Sequence, residues 1–267
     1  MDAEPGPADL VAQGYDAFYL AWGRSSTLRR IWRENVTGSD YPEDFAHISF
    51  LPLATLRLLA EGLHLKPDEV LVDLACGAGG PGLWVAKQSG ARLVGRDLSP
   101  VAVQRAAEQA AVLEMDHRAE FAEGSFVDSG IGTGQAHAVM TVDALQYAPD
   151  KSRALIEIAR ILRPGGRFAF VAFELDAARI VGLPIWDDPV GDYRPLLEQT
   201  GFELVAYDQI PNWRDQVAAG YGAVLAERDS LEAELGETAA TAIVMEAALT
   251  LDREPYCGHV LAVASRA

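Results

Sequence analysis

The stretch VLVDLACGAGGPGLWVA, residues 70–86, decides the fold. An apolar run reads as a buried strand, the glycines as a tight turn, and Pro81 sits where the first turn of a helix accepts it. Gly77 and Gly79 let the backbone approach a ligand closely. The free N–H groups of the following helix start favour a carboxylate or phosphate. Outward from this unit the chain alternates strands with helices. EVLVDLAC, RLVGRDL, AEFAEGS, HAVMTVDAL and RFAFVAFEL read as strands, and PGLWVAKQSG, PVAVQRAAEQAAVLE and KSRALIEIARILR as the helices between them. That rhythm predicts a parallel, doubly wound α/β sheet.

On either side of this core the pattern changes. Residues 8–65 show apolar positions at three and four spacings, as in DLVAQGYDAFYLAW and LPLATLRLLAEGL, and predict helices without strands. After Glu174 come a Pro/Gly/Asp-rich loop, a helix at YRPLLEQTG, a sixth strand at FELVAYDQI and a seventh at HVLAVASR. The helical pattern between these two strands, residues 212–254, is expected to stand outside the sheet as a cap. The division expected is therefore an N-terminal helical lid, 1–66, and a catalytic domain, 67–267, carrying the cap insertion.

With 39 acidic against 22 basic residues the formal charge is −17, which repels a phosphate backbone or an anionic membrane surface. Neither nucleic acid nor membrane is an expected partner. Cys76 and Cys257 are too few for a disulfide framework or a zinc site, and no metal site is expected. The opening MDAEPGPADL lacks a basic stretch followed by an apolar run, and no uncharged apolar segment approaches about 18 residues. A cytoplasmic protein is the expectation, and a homodimer stays open.

Two ligands compete for the glycine loop. Residues 77–82 satisfy the GxGxxG pattern of dinucleotide binding, and Asp97 lies 20 residues beyond Gly77, where a ribose-binding acid belongs. An acid at the end of a second strand suits any adenosine ligand. The plainer reading of Asp97 is a turn or cap aspartate before Ser99 and Pro100. Asp73 and two later segments break the tie. The run from Asp73 through Gly77 to Gly79 resembles the DxGxGxG signature of class I S-adenosylmethionine-dependent methyltransferases, with Ala75 at the first glycine. GRDLSP (95–100) is similar to their second-strand motif, and ILRPGGRFAF (161–170) to the turn before their fifth strand.

This resemblance covers about residues 70–173 and implies a Rossmann-like, seven-stranded, mostly parallel sheet with S-adenosylmethionine as cofactor. It implies that Asp97 holds the ribose diol, Leu98 packs on the adenine, and the loop carrying Ala75, Gly77 and Gly79 underlies the methionine part. Asp73 would act through that loop, and the strand end at Thr141 would offer a carbonyl to the ammonium. Ser125 stands where relatives often place an aspartate toward the adenine amine, with Phe126 beside it as a stacking or core residue.

Transfer from a sulfonium is an in-line displacement, so the protein must align the partners and exclude water. The helical regions are the natural cover, and Tyr15, Tyr19 and Trp32 are expected acceptor-binding aromatics, with ordinary core packing as the competing reading for each. TVDALQYAPD (141–150) carries Gln146 and Tyr147 where related O-methyltransferases often place a histidine pair, which leaves acceptor binding, and for Tyr147 a catalytic hydroxyl, as their expected roles. His47 and Glu174 are the remaining candidates for a base. His117, His137, Asp187 and Asp188 read as solvated loop groups. The expected function is methylation of a small organic molecule on carbon, oxygen or nitrogen, in natural-product biosynthesis. The alternatives are a cyclase or other non-methylating enzyme on the same pocket, a nicotinamide dehydrogenase, and a regulatory nucleoside-binding module.

Overall fold

The computed structural model describes residues 16, 19–38, 41–42, 45, 48–183 and 185–267. Seven strands, β1 (Val70–Leu74), β2 (Arg92–Asp97), β3 (Ala119–Glu123), β4 (Ala136–Val142), β5 (Leu162–Leu175), β6 (Phe202–Gln209) and β7 (Cys257–Arg266), form one sheet in the order β3-β2-β1-β4-β5-β7-β6. The last strand runs antiparallel to both β5 and β6, while every pairing from β3 across to β5 is parallel. Helices cover both faces, so β1 and β4 are apolar runs rather than alternating patterns. At the edge, β3 carries the polar AEFAE, which discourages pairing with another chain.

The crossovers are closed by local chemistry. Helix α1 (Ser26–Trp32) runs into a π-helical turn at Arg33–Thr37, and α2 is Leu53–Leu63. Between the strands lie α3 (Gly80–Ser89), α4 (Pro100–Val112) and α5 (Lys151–Ile161), followed by α6 (Arg194–Gln199). Ser99 caps α4 by accepting from the N–H of Ala102 at 2.9 Å, and Asp150 caps α5 through Arg153 at 2.8 Å. Each cap satisfies a backbone donor that the helix itself cannot.

Between β6 and β7 the chain leaves the sheet as α7 (Trp213–Ala226), α8 (Arg228–Leu235) and α9 (Glu237–Arg253), in the place expected for the cap. The N-terminal segment divides differently from expectation. Helix α2, assigned to the lid from sequence, packs on β5 and β7, where a Cβ on Gly62 would fall 2.6 Å from Val263 Cγ2. It is part of the layer flanking the sheet. Helix α1 and the π-helical turn lie against the cap instead, with α1 packed on α7 and α8 and the turn on α7. Among the described residues no helix is long and apolar enough to cross a membrane.

A polar clasp joins α1 to α8. Glu234 accepts from Ser25 Oγ at 2.5 Å, Ser26 Oγ at 2.6 Å and Thr27 Oγ1 at 3.1 Å. Burial alone would push this carboxyl up, but the hydroxyls and the Thr27 N–H together hold it down to about 2. A carboxyl depressed in the folded protein stabilises fully above its unfolded range and loses that contribution as pH falls toward the folded value. The difference in Tm between the protein and its Glu234→Gln variant should therefore narrow as pH falls from 6 to 3. A constant difference across that range would show that the clasp does not titrate.

Candidate active site

The glycine loop closes under three left-handed residues, Ala75 (φ 57°), Gly77 (φ 55°) and Gly79 (φ 83°). Alanine at the first of these carries a backbone cost of about 1–2 kcal/mol that glycine would avoid. The loop is held from beside by Asp97 at the end of β2. Its Oδ2 accepts from Gly77 N–H at 2.8 Å and its Oδ1 from Ser99 N–H at 2.9 Å. Each oxygen keeps a lone pair, so the carboxylate can still accept from a diol. Burial nevertheless pushes the Asp97 carboxyl above its usual range, against the pull of those N–H groups.

Asp73 sits deeper, at the end of β1. Burial first, and the neighbouring Asp97 charge second, raise its carboxyl, while the Gly82 N–H works the other way. Gly82 must be glycine for this approach, since a Cβ there would meet Asp73 Oδ2 at 2.4 Å. Tyr19 covers the loop from above: a Cβ on Gly77 would fall 2.3 Å from its hydroxyl. Expected at the acceptor, Tyr19 thus lies over the donor loop, where burial and the charges of Asp97, Cys76 and Asp73 all raise its phenol.

From this loop a cavity of about 610 Å³ runs under the cap. Ala75, Asp97, Leu98, Ser125 and Phe126 line one end, and Phe173, Trp186, Trp213 and Tyr221 line the other, with Gln146 and Tyr147 between the two groups in sequence. The Ser125 hydroxyl is engaged in its own turn, accepting from Asp128 N–H at 3.0 Å. Thr141 is fully buried in β4, and its Oγ1 has no hydrogen-bond partner among the described residues.

Other expected site residues lie elsewhere. Glu174 is not part of the cavity wall. Successive strand residues face opposite sides, so with Phe173 on the cavity side Glu174 points away, accepting from the Tyr207 hydroxyl and from Gln209 Nε2 at 3.0 Å. Trp32 lies behind the wall, its ring 5.3 Å from Phe50 and 5.9 Å from Tyr221, with Nε1 donating to Ser49 O at 3.2 Å. Tyr15 and His47 lie outside the described residues. Asp187 and Asp188, read as solvated loop groups, hold the start of α5: Asp187 O accepts from Lys151 Nζ at 2.5 Å and Asp188 Oδ2 from Lys151 N–H at 2.7 Å.

Residues 72–170 match the family model described as a methyltransferase domain. Over 79% of this chain and 81% of the relative, the sequence is 27% identical to 27-O-demethylrifamycin SV methyltransferase of Amycolatopsis mediterranei (strain S699). It is 25% identical to methyltransferase GfsG of Streptomyces halstedii over 87% of this chain and 89% of that one. The chain carries a methyltransferase domain and is an S-adenosylmethionine-dependent methyltransferase. Its fold is shared with the [4+2]-cyclase SpnF at a TM-score of 0.74 and 21% identity, covering 100% of this chain and 98% of the other. The methyltransferase acts on a small organic molecule and takes S-adenosylmethionine as methyl donor.

Sequence reasoning missed one pair in this methyltransferase. Asp143, at φ 49° just past β4, lines the cavity, and its Oδ1 lies 2.6 Å from Nε2 of the fully buried His259 on β7. Its Oδ2 accepts from Phe50 N–H at 2.8 Å. The His259 ring stacks on Phe173 at 4.1 Å and 6°, with Trp213 edge-on at 5.9 Å. One carboxylate thereby ties β4, β7 and the N-terminal segment together. The separation of 116 residues hides the pair from any local pattern. His259→Ala removes one of the two donors to a buried carboxylate and should cost roughly 1–3 kcal/mol of stability. A denaturant midpoint equal to that of the unaltered protein would show that the pair does not hold the fold.

Proposed function

We propose that the two ends of the cavity are the two substrate sites of a natural-product methyltransferase. S-adenosylmethionine would lie at the glycine-loop end, its ribose diol on Asp97 and its adenine between Leu98 and Phe126. The residues fit this ligand. Asp97 has accepting capacity left on both oxygens, and the loop presents backbone rather than side chains at Gly77 and Gly79. Tyr19 would close the donor from above, and Asp73 would keep the helix start of α3 in place.

The observation that carries this reading is the continuity of the cavity, which joins Asp97 to the aromatic end without an intervening wall. When bound, the donor supplies an electrophilic methyl on sulfonium. What the chain's own residues do is hold the acceptor in line with it and keep water out, with Phe173, Trp186, Trp213 and Tyr221 forming an apolar surround. Gln146 donates from Nε2 to Asp143 O at 2.7 Å, which leaves its buried Oε1 without a partner among the described residues. That oxygen is suited to accept from either substrate. Tyr147, 5.8 Å from Trp186 ring to ring, is the expected hydroxyl contact to the acceptor. Glu174 has no part in this scheme, because its carboxylate faces the other side of the sheet.

The biosynthetic setting is supported by the relative whose name gives 27-O-demethylrifamycin SV as the molecule it methylates. A cyclase on the same pocket is the second reading, supported by the fold it shares with SpnF and by the absence of histidine at 146 and 147. Formation of S-adenosylhomocysteine in proportion to product separates the two. For the donor site, Asp97→Ala should weaken S-adenosylmethionine binding tenfold or more, since a charge-assisted contact is worth about 1.5–3 kcal/mol. Unchanged calorimetric affinity in a folded variant would overturn the assignment.

A further inference from the structure

Helix α9 lays Glu246, Thr250 and Arg253 along the roof of the cavity, at spacings that share one helix face. Glu246 Oε1 accepts from Thr250 Oγ1 at 3.2 Å. The Thr250 hydroxyl also bonds the Tyr221 phenol, and Tyr221 lies within electrostatic reach of Glu246, Tyr147 and Asp143. Glu246 lines the cavity and stays accessible to solvent.

Among the described residues four carboxylates line this cavity, and three are committed. Asp143 has His259 and the Phe50 N–H. Asp97 has the loop and, on the reading above, the donor ribose. Glu254 pairs with Arg214 at 2.6 Å. Glu246 alone has only a neutral hydroxyl as a hydrogen-bond partner among the described residues. Desolvation by the neighbouring protein raises its carboxyl, against the opposing pull of Arg253 and the Thr250 hydroxyl. Arg253 is the one basic side chain in the described lining, and its guanidinium lies 5.8 Å from the Trp186 ring. The same cavity is lined by Tyr221, Trp213, Trp186 and Phe173, and ring faces attract cations as carboxylates do.

We propose that Glu246 is the specificity-determining residue of the acceptor site, and that the site takes an apolar, ring-containing molecule bearing a basic amine, with the ammonium on Glu246. An anionic acceptor meets an excess of carboxylates. A neutral alcohol of the same skeleton gains the aromatic surround without the ion pair. The proposal rests on the reading of the aromatic end as the acceptor site. It assigns Glu246 to binding and leaves open which acceptor atom receives the methyl.

The test uses three probes of one skeleton, 1-pyrenemethylamine, 1-pyrenemethanol and 1-pyrenecarboxylate, titrated at pH 7 against the 267-residue chain. Energy transfer from tryptophan reports binding, since Trp186 and Trp213 lie in the wall. The amine should bind at least tenfold more tightly than the alcohol, and the carboxylate least. In Glu246→Gln the amine-to-alcohol ratio should fall to near one while the alcohol's affinity stays within twofold. Glu246→Asp should retain part of the preference. Equal affinities for amine and alcohol, or a preference that survives Glu246→Gln, overturns the proposal. Calorimetry with S-adenosylhomocysteine is run alongside on both proteins. Failure there counts against the donor site, while the probe ratio judges Glu246 by itself. If the probes bind and Trp213→Phe and Trp186→Phe together leave the transfer unchanged, they sit outside the aromatic end, and the acceptor-site reading fails with the proposal.

Discussion

The buried carboxylate of Asp97 is the contact on which the donor end is built. It reaches back to Gly77 and forward to Ser99, and so fixes the glycine loop against the start of α4 with one side chain. Ser99 in turn caps that helix and donates its hydroxyl to Asp16. Losing this carboxylate would free a loop of three left-handed residues as well as remove a ligand contact. An acid in such a place bears a desolvation cost that the N–H groups of Ser99, Gly77 and Leu98 offset in part, while Asp16 beside it adds repulsion, as Asp97 itself does to Asp73. Both carboxyls sit above their usual range. Ligand hydroxyls donated to Asp97 would supply the compensation that the protein withholds.

Most of this end was legible in the chain because its determinants are local. Strand, turn and helix follow one another within residues 70–89, and the acid that braces the turn comes at the end of the very next strand. The alternation that follows has only one economical solution, a sheet covered on both faces. Asp187 and Asp188 are exposed, as expected of loop groups, but the pattern could not convey that Asp188 also accepts from the Lys151 N–H and that the Asp187 backbone carbonyl takes the buried lysine. Glu174 is a different case. Its position at the carboxyl end of β5 suggested a ligand contact, but position along a strand says nothing about side. The period of two settles that, and Phe173 rather than Glu174 faces the cavity.

The acceptor end was much less legible. Its walls come from β4, β5, β7 and two cap helices, so residues that touch are far apart in sequence, as with Asp143 and His259. Amphipathic helices such as α9 carry polar residues that mostly meet water, and nothing local marks Glu246 as meeting a cavity. Aromatic residues were similarly ambiguous. Trp32 and Trp213 both stand in helical patterns, yet one packs behind the wall and the other forms it. The difference lies in which neighbour stands between each ring and the cavity. For Trp32 these are Phe50 and Tyr221.

The connectivity explains how one donor floor can serve a particular roof. The cap is inserted between β6 and β7, and β7 is hydrogen-bonded on both edges, to β5 and to β6. Both ends of the cap are therefore anchored in the sheet, and α9 passes into β7 through a single short turn at Glu254–Tyr256. Such a roof is a fixed wall, whose side chains can be precise about what they meet. Among the described residues the N-terminal segment is joined to it through contacts that include the Glu234 clasp, the Arg30–Glu227 ion pair and the packing of Val36 on α7, where Gly220 leaves room for the methyl group. Tyr19 belongs to that segment and covers the donor loop. The weaker attachment thus lies on the side where the donor is covered, and the stronger on the side where an acceptor would be recognised. Recognition needs rigid groups, because a misplaced carboxylate or ring forfeits alignment, whereas a cover that must admit and release substrate needs contacts that can be broken individually.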